Sequence, residues 1–342
     1  MSDFPDYDVF DLGSVDLQSG AKLKNAKLAF KTYGQMNEAG DNVVVLPTFM
    51  TGTHARNEGF FGAGRAIDPT RHFIVSINMF GNGLSTSPTN ADATQTGPDF
   101  PNVTMHDNVR CQYILLKERF GVQRVALVMG WSMAGCQAYE WAAQFPDMVE
   151  AIVPVCASAK AAPHNIVFLE GVKAALQADQ TWNGGRYVEP PARGLKAFAR
   201  VYAGWAYSQT FYRDALYKAL GYETPEDLLA SWEDDHEKNW DANNLLAKIW
   251  TWQHCDLSAN PRYQGDFAMA LGHIKARATI IPCTQDLYFT VADNQIEVAA
   301  MHRAELRPYD SPWGHCVASP GNDPKFEKFL DGCISELLSA AR

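Results

Sequence analysis

The sequence of 342 residues lacks clusters of basic residues. Its 29 lysines and arginines stand against 39 aspartates and glutamates, which gives a formal net charge of −10. No run of lysines or arginines concentrates positive potential in one place. The composition therefore argues against nucleic acid as a partner.

Long uninterrupted apolar segments are also missing. The first twenty residues are acidic and show neither the basic start nor the apolar run of a signal peptide. No later apolar stretch reaches the roughly 18 residues that suggest a transmembrane helix. We therefore expect a soluble, cytoplasmic protein with no membrane partner.

Cysteines are few and scattered. The seven cysteines form no C-x-x-C pair, and several lie in apolar surroundings, such as Cys156 in "VPVCAS" and Cys283 in "IIPCTQD". Small buried thiols are the expectation for such positions. The sequence thus predicts neither a disulfide framework nor a metal site.

What the sequence does contain is an alternation of short apolar runs with helical patterns. Each apolar run is rich in β-branched residues and bounded by Gly, Pro, Asn or Asp, as is typical of strands. Such alternation predicts an α/β fold, with a mostly parallel central sheet and helices on both faces. The predicted strands are 26–32, 42–47, 72–79, 124–129, 150–155 and 278–283, and the clearest helices are 108–119, 134–144 and 325–341.

The stretch between residues 160 and 270 differs from the rest in composition. Tryptophan and tyrosine become dense, and strand patterns give way to helical ones. We interpret it as a helical lid inserted into the core, with core residues 1–159 and 275–342 and lid residues 160–274. Its aromatic residues belong either to a substrate pocket or to the interior of the lid, and the candidates are Trp205, Tyr207, Phe211, Trp250 and Trp252.

Ser132 stands between a predicted strand and a predicted helix, in the string "VMGWSMAGCQ". This is the pattern of a nucleophile elbow, with Ala134 in the place of the last glycine. Small residues two positions before and after the serine, here Gly130 and Ala134, let a strained turn form. The alternative is that Ser132 only caps the helix, which serine often does.

A serine hydroxyl needs a base to take its proton and an acid to orient that base. Asp286 follows the strand "ATIIPC", and His315 lies about thirty residues later in the loop "SPWGHCVASPG". Their order and positions predict a triad of Ser132, Asp286 and His315. The alternatives are Asp293 or Asp310 for the acid, and His54, His164 or His273 for the base.

Acyl transfer also requires two backbone N–H groups aimed at the oxyanion. One is expected from Met133, directly after the nucleophile. The other is expected from Met50, in the loop "TFMTGTH" that follows the strand "NVVVLP".

Taken together, these segments resemble an α/β-hydrolase of the homoserine O-acetyltransferase family. The resemblance covers nearly the whole chain. It is carried by "KLKNAKLAFKTYGQMNEAGDNVVVLPTFMTGTH", "SINMFGNGLSTSP", "SMAGCQAYEWAAQFPDMV", "KNWDANNLLAKIW", "TQDLYF" and "GHCVASP", in the order of the family. It implies acyl transfer in two steps, in which Ser132 takes a small acyl group, usually acetyl, and passes it to homoserine or, in related esterases, to water.

This chain departs from the acetyltransferases at some positions. They carry an aspartate after the catalytic histidine, thought to hold the substrate's amino group, where this chain has Cys316. Trp131 and Ala134 stand where the acetyltransferases usually have glycines, which implies a narrower and more apolar pocket. Arg200 lies near an arginine that the family uses for the substrate carboxylate, although it could equally pack within the lid. The predicted pocket residues are therefore Trp131, Arg200, Tyr207 and Cys316.

We weigh three hypotheses: a serine esterase for short-chain acetyl esters, a homoserine O-acetyltransferase with acetyl-CoA as donor, and a non-catalytic binding protein of the same fold. The esterase is preferred, with a small-molecule ester as substrate. No cofactor is predicted, because "FGNGLSTSP" lacks the third glycine and the following helix of a dinucleotide site. Relatives that dimerise through lid helices suggest a homodimer by analogy.

Overall fold

A computed structural model describes residues 6–339 of the chain. Its centre is one eight-stranded sheet. The strands are β1 (Asp8–Asp16), β2 (Lys22–Tyr33), β3 (Val43–Pro47), β4 (Phe73–Ile77), β5 (Leu127–Trp131), β6 (Ala151–Val155), β7 (Arg277–Ile280) and β8 (Ala304–Leu306).

The order of the strands across the sheet is β1-β2-β4-β3-β5-β6-β7-β8. Strands β3 to β8 run parallel to one another, and β1 and β2 form an antiparallel pair at one edge. The carboxyl ends of the parallel strands therefore lie along one edge of the sheet, where the loops after β3, β5 and β7 meet.

Helices cover both faces of this sheet. Their bounds are α1 (His54–Asn57), α2 (Met105–Phe120), α3 (Met133–Gln144), α4 (Pro163–Gln177), α5 (Ala192–Ala206), α6 (Gln209–Arg213), α7 (Pro225–Asn239), α8 (Ala242–Gln253), α9 (Phe267–Gly272), α10 (Val291–Ala300) and α11 (Pro324–Ser339).

The central strands are buried on both faces, so they read as continuous apolar runs rather than as alternating ones. Successive side chains nevertheless enter two different hydrophobic clusters. In β3, Val44 and Leu46 join one cluster while Val43 and Val45 join the other. The first cluster includes the helices inserted after β6, and the second includes α2 and much of α3.

The predicted α/β architecture is confirmed, and each predicted strand overlaps an observed one. Strands β1 and β8 were not predicted. In β1, most side chains are exposed, and two register shifts interrupt its pairing with β2, so it has no regular apolar pattern. Strand β8 has only three residues and pairs with β7 at the far edge of the sheet, so it is too short to show a strand pattern. The last residues of the predicted helix 325–341 lie outside the described part of the chain.

The chain from Val155 to Arg277, described throughout, contains helices and no strand. Helices α4 to α8, here called the lid helices, pack into the first cluster over the carboxyl ends of the strands. Residues 257–274 differ, because Leu257, Ala270 and Leu271 belong to the second cluster with the core helices. The division into a core and a lid at residues 160 and 274 remains a prediction.

Between residues 6 and 339, no helix combines the length and the apolar character needed to cross a bilayer. All seven cysteines fall in this range and carry free, buried thiols.

Candidate active site

Ser132 lies at the turn between β5 and α3 with backbone angles of φ 60° and ψ −132°. A positive φ is costly for a residue with a side chain, so the surrounding structure must hold it. The Ser132 N–H donates to the carbonyl of Val155 in β6 at 2.9 Å. Its side chain makes no capping bond to α3, so the serine occupies the N-cap position without acting as a cap.

The residues around Ser132 are small because the backbones of β5 and α3 approach each other closely. A Cβ at Gly130 would lie 2.3 Å from the carbonyl carbon of Ala134. A Cβ at Gly135 would lie 2.5 Å from the Cβ of Ala157. A side chain at Gly130 would force β5 and α3 apart, and one at Gly135 would push α3 away from the residues that follow β6, so either change would move Ser132.

Asp286 and His315 meet in a buried hydrogen bond. Nδ1 of His315 lies 2.8 Å from Oδ2 of Asp286. The other carboxylate oxygen, Oδ1, accepts from the N–H groups of Tyr288 and Phe289 at 2.7 and 3.3 Å. With Nδ1 facing the carboxylate, Nε2 of His315 is left to exchange a proton elsewhere.

Aromatic rings fix the orientation of the His315 imidazole. The ring of Tyr288 meets it edge to face, with centroids 4.6 Å apart. Trp131, next to Ser132 in the chain, lies at 5.4 Å and donates its indole N–H to the carbonyl oxygen of His315 at 3.0 Å. These contacts tie the histidine loop to the elbow.

Cys156 completes a cluster with Asp286 and His315. One polar atom of each lies within 4.8 Å of the others. These residue types can bind metals, but burial raises the pKa of Cys156 well above its ordinary value, and a metal requires the thiolate. The carboxylate and the imidazole are hydrogen-bonded to each other. The donor set therefore fits a proton relay better than a metal site.

The alternative acids have other partners. Asp293 caps α10 together with Thr290. Asp310 accepts a hydrogen bond from the hydroxyl of Thr284.

The alternative bases are also held elsewhere. His54 is buried between Asn78 and Asp6. His164 packs on the ring of Trp205 at 4.9 Å, and His273 packs on Tyr263 at 5.8 Å.

A cavity of about 380 Å³ opens above the elbow, and both Ser132 and His315 line it. Of the predicted pocket residues, Trp131, Tyr207 and Cys316 line the same cavity. Burial raises the pKa of Cys316 to about 12, so this thiol is neutral near pH 7. It cannot form an ion pair with a substrate ammonium.

Arg200, the fourth predicted pocket residue, does not line this cavity. Its guanidinium binds the carboxylates of Glu226 and Glu233 on α7. Of the two interpretations of Arg200, a ligand of the substrate carboxylate or an arginine that packs within the lid, this position corresponds to the second.

The lid aromatics divide in a similar way. Of the five candidates only Tyr207 lines the cavity. Phe211 and Trp252 are fully buried in the first cluster. Trp205 packs on Phe168, and Trp250 stacks on His254 with centroids 3.9 Å apart.

The two predicted oxyanion-hole residues lie close to the elbow. Met50 lines the cavity, and Met133 is the first residue of α3. Within residues 6–339, neither of their N–H groups donates to a protein acceptor. Two such groups next to a serine are suited to hold an oxyanion.

Sequence reasoning missed several residues of the site. Arg56 and Asp235 line the cavity and carry opposite charges, and His236 lines it as well. No local pattern marks these three. Lys248 donates to the carbonyl oxygen of Met50 in the loop after β3. Here a signal was present, because Lys248 shares the i, i+3, i+4, i+7 spacing with the apolar residues of α8.

Comparison with known proteins assigns the family. Residues 41–273 match the model of the alpha/beta hydrolase fold. The chain is 34% identical over 337 residues to ethyl acetate hydrolase of Pseudomonas veronii, covering 98% of this chain and 96% of that protein. It is 31% identical over 315 residues to homoserine O-acetyltransferase of Chloroherpeton thalassium, covering 88% and 82%.

A solved structure gives the same result. An acetylester hydrolase from Corynebacterium glutamicum superposes with a TM-score of 0.93 at 34% identity, covering 97% of this chain and 96% of that one. With the eight-stranded sheet and the elbow at Ser132, these matches establish that the chain belongs to the α/β-hydrolase family, in the group that contains homoserine O-acetyltransferases and their esterase relatives.

Proposed function

We propose that this protein is a serine-dependent carboxylic ester hydrolase that acts on short-chain esters, acetyl esters first, through an acyl-enzyme. Relatives named as hydrolases of ethyl acetate and of acetyl esters support the reaction class. The observation that carries the proposal is the hydrogen bond between His315 and Asp286 beside a cavity that His315 shares with Ser132.

In the first step, the Ser132 hydroxyl attacks the ester carbonyl carbon and its proton passes to Nε2 of His315. The carbonyl oxygen takes the electron pair and accepts hydrogen bonds from the N–H groups of Met50 and Met133. The tetrahedral intermediate then collapses, the C–O bond to the alcohol breaks, and His315 gives its proton to the leaving alkoxide. Asp286 stabilises the imidazolium that exists between these events.

In the second step, water attacks the acyl-enzyme. His315 takes a proton from the water, the second tetrahedral intermediate forms, and its collapse releases the acid and returns the proton to Ser132. Besides histidines, seven aromatic residues line the cavity together with Ser132: Phe49, Trp131, Tyr202, Tyr207, Tyr222, Trp232 and Tyr288. Their bulk supports a small acyl group such as acetyl.

Acetyl transfer to an amino-acid alcohol such as homoserine is the second candidate. One observation favours it, because Arg56 and Asp235 place a cation and a carboxylate in the cavity wall. Two others oppose it: Arg200 is bound by glutamates, and Cys316 is a neutral thiol.

The test is to measure hydrolysis of p-nitrophenyl acetate with and without homoserine, and separately to incubate the protein with acetyl-CoA and homoserine. Ester hydrolysis that homoserine leaves unchanged is the expected result. Formation of O-acetylhomoserine at a comparable rate would replace the esterase by the transferase. No turnover of any substrate, together with no labelling of Ser132 by phenylmethylsulfonyl fluoride, would leave a binding protein.

A further inference from the structure

Lys248 is a buried lysine on helix α8. It lies on the inner face of α8, and its residue is fully buried. Its buried neighbours on that face are the apolar Leu245, Ile249 and Trp252 and the polar Asn244 and Thr251. No carboxylate of residues 6–339 lies within ion-pair distance of its ammonium. Burial lowers the pKa of Lys248 to about 7, which shows how unfavourable this place is for the charge.

Three contacts hold the side chain. Its Nζ donates a hydrogen bond to the carbonyl oxygen of Met50. The same Nζ lies 4.3 Å from the ring centroid of Trp240, which partly compensates the charge. The aliphatic stem lies against the loop after β4, where a Cβ on Gly81 would be 3.2 Å from Cγ of Lys248.

The contact with Met50 belongs to a set that fixes the oxyanion loop. Three successive carbonyls of this loop each accept one hydrogen bond. That of Thr48 accepts from Nε2 of Gln137 on α3 at 2.8 Å, and that of Phe49 accepts from the N–H of Gly52 at 3.2 Å. The third, that of Met50, accepts from Lys248.

These bonds decide where the Met50 N–H points. The peptide unit is planar and trans, so fixing the Phe49 carbonyl directs the Met50 N–H to the opposite side. The bond from Lys248 fixes the next peptide plane, so that Met50 cannot rotate about its own backbone bonds. The outcome is an N–H on a residue of the cavity wall that has no acceptor among the described residues 6–339.

We propose that Lys248 is a positioning residue for ester hydrolysis, through which the lid helix α8 holds the Met50 half of the oxyanion hole in place. This inference rests on the proposed function. An oxyanion hole works because its donors are fixed before the charge develops. If the Met50 peptide were free to rotate, its N–H would have to be oriented anew in every reaction. The entropy lost in that step would lower kcat.

The variant that tests this is Lys248→Met, which keeps most of the apolar stem and removes Nζ. We expect kcat for p-nitrophenyl acetate to fall about 10- to 100-fold, somewhat less than the ~10²–10³-fold that loss of one whole donor costs. KM should change by less than about 3-fold, since the oxyanion exists only in the transition state. A methyl trifluoromethyl ketone forms a hemiketal with Ser132, in which the former ketone oxygen is an oxyanion. The affinity for this inhibitor should fall by the same factor as kcat.

The matched control is Lys196→Met, the same change at an exposed lysine of α5 that pairs with Glu237. It should keep wild-type kcat, KM and inhibitor affinity. The melting temperature of Lys248→Met should stay close to that of the wild type, because removal of a buried charge without a carboxylate partner offsets the loss of the hydrogen bond to Met50. If Lys248→Met does not fold, Lys248→Leu, which also carries no donor, should show the same loss of kcat.

A kcat within about 2-fold of wild type would overturn the inference while leaving the proposed function intact. So would a fall in kcat that is matched by a lower melting temperature and an unchanged inhibitor affinity, which would indicate a structural role. A wild-type protein that neither hydrolyses esters nor reacts at Ser132 would refute the proposed function itself, and this inference with it.

Discussion

The core and the lid helices hold the residues of the cavity in different ways. Ser132, Asp286 and His315 lie in loops at the carboxyl ends of the sheet, and each is fixed by backbone bonds or by a short turn. The lid helices contribute Tyr202, Trp232 and other side chains whose direction depends on how one helix packs on the next.

This difference separates the residues proposed to react with the ester from those that shape the cavity. The strand ends meet at one place in any sheet of this order, so the predicted reacting groups converge regardless of the lid. The lid helices contribute much of the cavity wall, and through Lys248 on α8 they also bond to the backbone of Met50 in that wall. The predictions below test how complete this separation is.

The largest effect is expected for Ser132→Ala. Removing the nucleophile should lower kcat for p-nitrophenyl acetate by about 10⁶-fold, as for the serine of other triads. The melting temperature should change little, because the Ser132 side chain makes no capping bond. Initial rates and thermal unfolding measure both quantities. Activity close to that of the wild type would show that Ser132 is not the nucleophile.

Asp286→Asn should come next, with a loss of about 10⁴-fold in kcat, because the amide favours the wrong tautomer of His315. The control is Asp310→Asn, since the Asp310 carboxylate accepts from Thr284 and makes no bond to His315. It should stay within about 3-fold of wild type. Equal losses in the two variants would mean that the acid has been assigned to the wrong loop.

Within the core, Glu297 should make stability depend on pH. It is buried, accepts from Tyr139 on α3, and burial raises its pKa from 4.5 to about 7. Between these values the unfolded chain is ionised while the folded one keeps its proton, so the folded state binds more protons and the free energy of unfolding falls as pH rises. The full loss is about 3 kcal/mol, at ~1.4 kcal/mol per pKa unit.

Urea denaturation at pH 5, 6, 7 and 8 measures this dependence. Glu297→Gln, which has no proton to lose, should show a flatter profile than the wild type over this range. Parallel profiles for the two proteins would show that Glu297 keeps the same pKa in the folded and unfolded states.

The smallest effect is expected in the lid for Arg200→Met. Arg200 pairs with Glu226 and Glu233, and its side chain is 38% exposed. The free energy of unfolding should fall by no more than ~1 kcal/mol, as for other exposed ion pairs. Hydrolysis of p-nitrophenyl acetate should stay within about 2-fold of wild type.

The paired variant is Arg56→Met, since Arg56 lines the cavity and Arg200 does not. If an acceptor with a carboxylate is used at all, its KM should rise in Arg56→Met and stay unchanged in Arg200→Met. A higher KM in Arg200→Met and an unchanged KM in Arg56→Met would indicate that Arg200 binds the substrate. That result would favour the transferase over the esterase.

Prediction from sequence succeeded where a residue's surroundings follow from its neighbours in the chain. The turn at Ser132 needs small residues within two positions on either side, and Gly130 and Ala134 can be read directly. The strands were recognised because they are apolar on both faces, whereas β1, exposed and irregular, was missed. In the lid the sequence left two places open for each of five aromatic candidates, the pocket or the lid interior, and of these only Tyr207 lines the cavity.

The sequence by itself determined strands β2 to β7, the elbow and the order of the predicted triad, since local sterics and burial dictate these within a few residues. Only the tertiary structure decided which side chains line the cavity, because this depends on helices packed from distant parts of the chain. Lys248 and Met50 are 198 positions apart, and no local rule connects them. Likewise, the glutamates of α7 keep Arg200 on the lid rather than in the cavity.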